Sequence, residues 1–373
     1  MNAEHTNKIW DVVVIGGGSA GLSAALTLAR ARRRVAVIDS GAPRNAPAAA
    51  AHGLLGQEGI NPLELLATGR QEAAAYGAHL LQDEVVGAAQ TDEGFAVDLR
   101  SGARIHAGQV LIATGTRDEL PAIPGLAERW GRDVVHCPYC HGWEIRDQRI
   151  GMIATGEMSA MQALLFHQWT DRLWFFPGDH TFPTDQLDRL AAVGISVVDG
   201  EVARVEVADD ALTGITMNDG SRYDLDAVAV PSLTAARLKG LEGLGVETVE
   251  NAAGIAVVAD ATGHTSVPGV WAAGNVVNPG MQVSEAAANG ARVAMTINTE
   301  LVFARADRAV AASAAGPASG GTPTSAGTPT SGGARTSDGA ASSGGSATSG
   351  DARTSDDAAT SGGSPMSGGS AAR

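Results

Sequence analysis

A glycine-rich turn between a short apolar strand and a helix restricts the fold of this chain more than any other feature. Gly16-Gly17-Gly18-Ser19-Ala20-Gly21 matches the pattern G-x-G-x-x-G and directly follows the strand pattern of Asp11 to Ile15. Gly16 permits a tight turn, Gly18 lets the backbone approach a pyrophosphate, and Gly21 lets the helix pack closely on the strand. The turn therefore predicts a dinucleotide site.

The residues after this turn complete a βαβ unit. The helix is followed by a second strand, Val35 to Ile38, which ends at Asp39, where an acid can accept hydrogen bonds from a ribose. Strand, glycine turn, helix and strand within about 30 residues predict a parallel sheet with a right-handed crossover. The pattern alone does not distinguish FAD from NAD.

A second, similar pattern divides the chain. Ile150 to Ala154 reads as a strand, Ser159 to Gln168 as a helix and Leu173 to Phe176 as a strand. We therefore predict an α/β protein with two Rossmann-like, three-layer ββα domains, of which the first is interrupted by the second. The predicted boundaries are 1–116 and 241–304 for the first domain, 117–240 for the inserted domain, and 305–373 for a tail.

Composition excludes several classes of function. The tail consists largely of Gly, Ser, Thr and Ala, and we expect it to be disordered because it cannot bury enough apolar surface. The net charge of -15 argues against nucleic acid as a partner. No apolar run approaches the ~20 residues that span a bilayer, and no N-terminal signal is seen, so we expect a cytoplasmic protein without membrane contact.

The two cysteines, Cys137 and Cys140, are three residues apart and flanked by His136 and His141. Two thiols at this spacing can close a redox-active disulfide, and a helix N-terminus lowers the pKa of one of them. The alternatives are a metal site, in which adjacent residues would have to converge on one ion, and a buried structural pair. The redox interpretation is favoured, and no metal is expected.

These motifs occur in the order found in low-molecular-weight thioredoxin reductases, which the chain resembles over residues 9 to 304. The shared features are the glycine turn, Ala113-Thr114-Gly115, the cysteine pair, and Gly269-Val270-Trp271-Ala272-Ala273-Gly274-Asn275. Cys137 to Gln148 (CPYCHGWEIRDQ) is similar to the dithiol oxidase branch, which includes the gliotoxin and holomycin sulfhydryl oxidases. The resemblance implies that the first domain binds FAD, and it also implies a homodimer.

The resemblance assigns roles to individual residues. It implies that Cys140 is the flavin-side thiol, that Cys137 exchanges with substrate, and that His141 transfers protons, unless His141 is simply hydrogen-bonded near the turn. Asn275 stands where relatives usually have Asp. The implied FAD contacts are Gly16, Gly18, Ser19, Ala20, Gly21, Asp39, Ser40, Arg44, Asn45, Val85, Ala113, Thr114, Gly115, Gly274, Asn275, Gln282 and Val283.

The second dinucleotide turn departs from the family pattern. It reads Ala154-Thr155-Gly156-Glu157-Met158-Ser159-Ala160, with one glycine and an acid near the expected phosphate. Relatives carry arginines for the 2′-phosphate after the next strand, whereas this chain has Pro177-Gly178-Asp179-His180. We therefore expect weak or absent NADPH binding.

Without NADPH, electrons would enter through the thiols. We expect an FAD-dependent oxidase that converts a dithiol, with a small natural product favoured over a protein, into a disulfide and passes electrons to oxygen. The alternatives are an NAD(P)H-dependent disulfide reductase, a variant with a ferredoxin-type donor, and a non-enzymatic redox sensor. The loop from Pro43 to Gly59 could line the substrate pocket, with His52 as a weak candidate residue.

Overall fold

The computed structural model describes residues 9–251 and 253–314. In chain order the strands are β1 (Ile9–Ile15), β2 (Val35–Asp39), β3 (His79–Gln82), β4 (Val85–Thr91), β5 (Gly94–Leu99), β6 (Arg104–Ile112), β7 (Thr116–Glu119), β8 (Val134–Val135), β9 (Ile150–Ile153), β10 (Leu173–Phe176), β11 (Ser196–Val197), β12 (Val202–Ala208), β13 (Ala211–Met217), β14 (Arg222–Tyr223), β15 (Ala227–Ala229), β16 (Leu233–Ala236), β17 (Thr248–Asn251), β18 (Gly254–Val257) and β19 (Val270–Ala272). The α-helices are α1 (Ser19–Arg30), α2 (Pro62–Ala75), α3 (Pro138–His141), α4 (Ser159–Phe166), α5 (Thr184–Ala192) and α6 (Val283–Ala314), and short 3-10 helices cover Ala127–Arg129, Glu242–Leu244 and Gly274–Val276.

The first sheet combines strands from both ends of the described chain. Its order is β3-β2-β1-β6-β5-β4, and β19 pairs in parallel with β6. Strands β1, β2, β3 and β6 are parallel, as the βαβ pattern requires, while β4 and β5 are antiparallel additions. Strand β19 follows the inserted strands in sequence but pairs with β6 of the first sheet. The prediction of a discontinuous first domain is therefore confirmed.

The second sheet has the order β11-β10-β9-β15-β8, with all of its pairs parallel. One face packs on α4 and α5 through Phe166, Leu190 and their neighbours, and the other packs on the antiparallel layer β12-β13-β14 through Ile215 and Leu225. This arrangement is the expected three-layer ββα unit. The predicted second Rossmann-like domain is therefore confirmed.

Two antiparallel strands connect the sheets. The chain leaves the first sheet through β7 and returns through β16, which pair with each other and continue into β18 and β17. This crossing point brings residues of both domains close together beside the cysteine segment.

Helix α6 differs from its sequence prediction in length. The amphipathic pattern predicts an end near Phe303, but the helix continues to Ala314. All of the extra residues except the half-buried Ala304 are exposed, and they are rich in Ala and Arg, which have high intrinsic helix propensity and extend a helix without packing. The predicted start of the tail at residue 305 falls inside this helix, and the rest of the predicted tail lies outside the described residues.

The described helices all fall short of the length or the apolar character that a bilayer-spanning segment requires.

Helices α1 and α6 pack closely because Gly290 lies at their crossing. A Cβ placed on Gly290 would lie 2.0 Å from the carbonyl oxygen of Ala20, a backbone atom that has little room to move. The contact fixes α6 against the helix that begins at the glycine turn.

We predict that Gly290→Ala destabilises the protein by about 1–3 kcal/mol through overpacking. Helix propensity alone predicts the opposite sign, because Gly→Ala in a helix interior stabilises by about 1 kcal/mol. Denaturant unfolding followed by circular dichroism measures the difference. A variant more stable than the wild type would contradict this packing account.

Candidate active site

The glycine turn is shaped by close backbone contacts. Gly16 has φ +107°, and a Cβ there would lie 2.3 Å from the carbonyl oxygen of Ala113. A Cβ on Gly21 would lie 1.9 Å from the carbonyl oxygen of Gly16. These two glycines are therefore required by the fold of the turn itself.

Gly18 differs, because a Cβ there would meet nothing within 4 Å. Within the described part of the chain, the amide N–H groups of Gly18, Ser19 and Ala20 find no acceptor. They lie at the N-terminus of α1, where the helix dipole favours negative charge. The turn can therefore hold a diphosphate by its backbone.

A cavity of about 1020 Å³ extends from this turn to the cysteine pair. Of the predicted site residues, it is lined by Gly16, Gly18, Ser19, Ala20, Asp39, Ser40, Arg44, Asn45, Val85, Ala113, Thr114, Gly115, Cys137, Cys140, His141, Asn275, Gln282 and Val283. Gly21 and Gly274 lie behind the wall, where Gly274 packs against Ala20 and donates its N–H to Asn289.

The donors and acceptors of the cavity fit FAD. The free amides of the turn suit the diphosphate, and Asp39, which accepts a 3.0 Å hydrogen bond from the Gly17 N–H, lies where a ribose can bind. The hydroxyl oxygen of Thr114 is buried and has no hydrogen-bond partner among the described residues. The cavity also reaches the two thiols, as a flavin that exchanges electrons with them requires.

The side-chain amide of Asn275 stabilises the turn that precedes α6. Its Nδ2 donates to the carbonyl oxygens of Asn278, Pro279 and Met281 at 3.0–3.2 Å, which pins the turn before α6. An aspartate would present a fourth acceptor to these three carbonyl oxygens and could not donate. The departure from the family pattern therefore has a local physical reason.

A polar network at the crossing strands joins the two domains. Arg44 binds Asp118 with two hydrogen bonds of 2.8 and 2.6 Å, Ser232 donates to Asp118 at 2.6 Å, and the Ser232 N–H donates to Nδ1 of His136 at 3.2 Å. Burial opposes ionisation of Asp118, but the hydrogen bonds and charge of Arg44 outweigh it and lower the pKa of Asp118. Sequence analysis missed Asp118 and Ser232, because neither belongs to a motif.

The cysteine segment places both thiols on the cavity wall. It follows β8, and α3 begins at Pro138, directly after Cys137. The N–H groups of Cys140 and His141 donate to the Cys137 carbonyl oxygen at 3.2 and 3.1 Å, which fixes the turn between the thiols. Both cysteines are free thiols and are half-buried.

The two thiols differ in acidity. The hydrogen bond from the Cys140 thiol contributes most to lowering the pKa of Cys137 to about 6, assisted by Gln282 and by the N–H groups of Cys140 and Tyr139, against the effect of burial. Sharing its proton with Cys137, together with burial, raises the pKa of Cys140. The reduced pair therefore favours a single thiolate that accepts a hydrogen bond from the neighbouring thiol.

His141 lies beside the pair on the cavity wall. Both of its ring nitrogens are buried and have no hydrogen-bond partner among the described residues. The alternative role, a histidine that is simply hydrogen-bonded near the turn, therefore lacks the hydrogen bond that it requires. Burial lowers the pKa of His141, which leaves the ring neutral at pH 7. A neutral imidazole in this position can accept a proton.

The 43–59 loop also reaches the cavity. His52 lines the wall, lies 2.7 Å from Glu58 in its own loop and lies 3.4 Å from Glu144, which follows the cysteine segment. The side chain of His52 thus connects the loop to the residues that follow the cysteine pair.

Among the described residues, no three His, Cys, Asp or Glu side chains lie close enough together to bind one metal ion. The structure therefore shows no ligand set for the metal site considered above for the cysteine pair.

The second turn, between β9 and α4, has different chemistry. The N–H groups of Thr155 and Gly156 donate to the buried hydroxyl of Ser159 at 3.0 and 3.3 Å. The adjacent cavity, of about 460 Å³, has three acids in its wall, Glu119, Asp179 and Glu201, and His180 is its one basic lining residue.

We predict that Gly18→Ala removes bound flavin while leaving the fold intact. The new methyl group meets no protein atom but occupies the approach to the free amides. The flavin-to-protein absorbance ratio of the purified variant should fall at least about tenfold, with an apoprotein stability within about 0.5 kcal/mol of the wild-type apoprotein. A variant that retains full flavin content would contradict the assignment of the turn.

Comparison with known proteins identifies the family of the chain and several similar thioredoxin reductases. The profile of the pyridine nucleotide-disulphide oxidoreductase family matches residues 10–291. The thioredoxin reductase tcpT of Claviceps purpurea is 32% identical over 284 residues, covering 72% of this chain and 87% of tcpT. The match to a probable thioredoxin reductase of Arthroderma benhamiae is shorter, with 36% identity over 160 residues, 41% of this chain and 39% of that protein.

Among solved structures, the crystal structure of HlmI superimposes with a TM-score of 0.77 at 43% sequence identity. The match covers 82% of this chain and 97% of HlmI.

Proposed function

Because the chain belongs to the pyridine nucleotide-disulphide oxidoreductase family and is a thioredoxin reductase-like disulfide oxidoreductase, we propose that it oxidises a dithiol to a disulfide. In this proposal Cys137 and Cys140 exchange with the substrate, and FAD held at the Gly16–Gly21 turn would supply the two-electron acceptor, with oxygen as the final acceptor. The substrate that fits best is a small dithiol, since Cys137 is half-buried in a cavity wall.

The observation that carries this proposal is the contrast between the two dinucleotide turns. The first turn presents three free backbone amides to a large cavity, whereas two amides of the second turn already donate to Ser159. The cavity beside the second turn has three acids and neither Arg nor Lys in its lining. Such a wall repels the phosphates of NADPH, so the thiols become the entry point for electrons.

The residues of the site support the following sequence of steps. A substrate thiolate attacks Sγ of Cys137 in the Cys137–Cys140 disulfide, and the electron pair of the broken bond leaves on Cys140. The second substrate thiolate attacks the substrate sulfur of this mixed disulfide, so that the substrate disulfide forms and Cys137 leaves as a thiolate. The pair has then gained two electrons, and the substrate has lost two electrons and two protons.

FAD bound in the large cavity would take up the two electrons as the Cys137–Cys140 disulfide re-forms, and oxygen would reoxidise it with hydrogen peroxide as the product. The protons are transferred by side chains of the protein. The neutral, buried ring of His141 can take a proton from the substrate thiol at one of its free nitrogens. Arg44 contributes positive charge near Cys140.

The alternative function is an NAD(P)H-dependent disulfide reductase, and the names of the relatives favour it, since tcpT is called a thioredoxin reductase. The two functions share the flavin site and the cysteine pair. They differ in which compound reduces the flavin.

An anaerobic titration separates the two functions. We expect dithiothreitol to bleach the visible flavin absorption of the holoenzyme, whereas excess NADPH leaves it unchanged over the same period. With oxygen present, each dithiol oxidised should yield one hydrogen peroxide. Cys137→Ser and Cys140→Ser are the control variants and should not bleach with dithiol. Rapid bleaching by NADPH would establish the reductase instead.

We further predict that His141→Asn slows flavin reduction by dithiol about 100-fold, because a general base contributes roughly 10²–10⁴ in rate. In the wild type, the rate should fall as the pH drops through the lowered pKa of His141, below its usual value of about 6.5, because the ring becomes protonated. The variant should lose this acid limb.

Anaerobic stopped-flow absorbance across a pH series measures both effects. His106→Asn, a change at an exposed histidine on β6, is the control and should behave as the wild type. A His141→Asn rate within about threefold of the wild type would exclude His141 as the base.

A further inference from the structure

One segment of the 43–59 loop connects the first domain to the inserted domain. It runs from Pro47 to His52 and has four alanines between these two residues. At one end Pro47 packs on Gly131, where an added Cβ would lie 2.8 Å from the Cβ of Pro47. At the other end Nε2 of His52 lies 3.4 Å from Oε1 of Glu144. We call this segment the strap.

The two anchors of the strap lie on either side of the cysteine pair in the inserted domain. Gly131 follows Trp130, whose ring lies 6.3 Å from the ring of His136, the residue directly before the pair. Glu144 comes shortly after the second cysteine, beyond the end of α3. The strap therefore crosses the segment that carries both thiols.

The strap is one chain thick, with the cavity on one side and solvent on the other. Ala48 and Ala50 line the cavity and are half-buried. Ala49, which lies between them, is exposed and does not line the cavity. The inward side chains of the strap at these positions are thus single methyl groups, and a position of the same residue type faces outward beside them.

Main-chain hydrogen bonds hold the strap in this position. The Ala51 N–H donates to the Ile60 carbonyl oxygen at 2.8 Å, and the side-chain amide of Asn61 donates to the Ala49 carbonyl oxygen at 3.3 Å. These contacts do not involve the alanine side chains. A larger side chain at positions 48 to 50 therefore leaves them in place.

We propose that the strap closes the substrate end of the cavity and that Ala48 and Ala50 set the size of the molecule that can reach the cysteine pair. The inference rests on the proposed function for the nature of the substrate, and it adds the residues that determine how large this substrate can be.

Selection by size needs a wall that is held in place and that leaves a passage of limited width. The two anchors and the main-chain hydrogen bonds hold the wall, and the methyl groups of Ala48 and Ala50 leave the passage. A steric clash discriminates because it raises the free energy of the complex with the wrong partner. A thiol on a small molecule can pass beneath such a strap, whereas a thiol fixed on a folded protein requires the strap to move away.

The test is alkylation of the two cysteines by reagents that differ only in bulk. The holoenzyme is reduced with dithiothreitol, freed of reductant without oxygen, and treated with iodoacetamide or with N-benzyliodoacetamide, which has the same reactive carbon. Intact-protein mass spectrometry gives the labelling rate with each reagent. In the wild type both reagents should react, because the inward methyl groups leave a passage to the thiols.

In Ala48→Phe and Ala50→Phe the labelling rate with N-benzyliodoacetamide, relative to that with iodoacetamide, should fall at least about tenfold, because the added ring overpacks the passage. Ala49→Phe is the matched control. Its rate ratio should stay within about twofold of the wild type, as for a surface substitution. The flavin absorption spectrum before reduction verifies that each variant is folded and binds FAD.

Four results would overturn the inference: neither inward variant lowers the rate ratio, Ala49→Phe lowers it equally, N-benzyliodoacetamide fails to label the wild type, or both inward variants lose their flavin, which would place the strap against FAD. Labelling requires no turnover. If the rate ratios change as expected but dithiothreitol does not bleach the flavin, the proposed function is refuted and the strap stands. Bleaching with unchanged rate ratios would have the opposite meaning.

Discussion

The site depends on how the backbone amides at the N-termini of two helices are used. A backbone N–H is a single donor, so one that already has an acceptor inside the protein has little to offer a ligand. At the start of α1, three amides face a cavity with no acceptor among the described residues. Before α4, two amides of the corresponding turn donate to Ser159. The same supersecondary unit thus occurs twice, and we propose that only the first copy binds a dinucleotide.

Charge reinforces this difference. The lining of the large cavity includes four bases, Arg44, Arg117, Arg237 and Lys239, beside five acids, whereas the small cavity is lined by three acids, Glu119, Asp179 and Glu201, with neither Arg nor Lys. The contact between Cys140 and Gln282 joins the inserted domain to the FAD-binding half, and the Arg44–Asp118–Ser232–His136 network does so beside it. The inserted domain therefore presents the cysteine pair to the flavin-binding cavity.

Features that depend on residues close in sequence could be predicted. The contact of Gly21 with the Gly16 carbonyl oxygen is local, so the glycine spacing indicated the geometry of the turn, whereas the contact of Gly16 with Ala113 is made only in the folded sheet. The Cys137–Cys140 spacing likewise predicted a pair of adjacent thiols on one wall. The discontinuous domain followed from the order of the strand patterns.

Features that depend on distant residues could not be predicted. Gln282 lies 142 residues from Cys140, and Asp118 lies 74 residues from Arg44, so no local pattern connects them. The unequal acidity of the two thiols arises mainly from the hydrogen bond between them, and the burial of the site, which only the folded chain provides, raises the pKa of both. The length of α6 was missed because exposed alanines extend a helix without leaving an apolar stripe.

The proposed difference in nucleotide binding between the two turns is tested most directly by isothermal titration calorimetry. FAD is titrated into apoprotein, and NADPH is titrated separately into holoenzyme. The account predicts tight, one-to-one binding of FAD and no binding heat from NADPH at concentrations up to about 1 mM, the range in which a −4 kcal/mol interaction would be visible. One-to-one NADPH binding with a dissociation constant of about 1 μM, or an apoprotein that does not take up FAD, would contradict it.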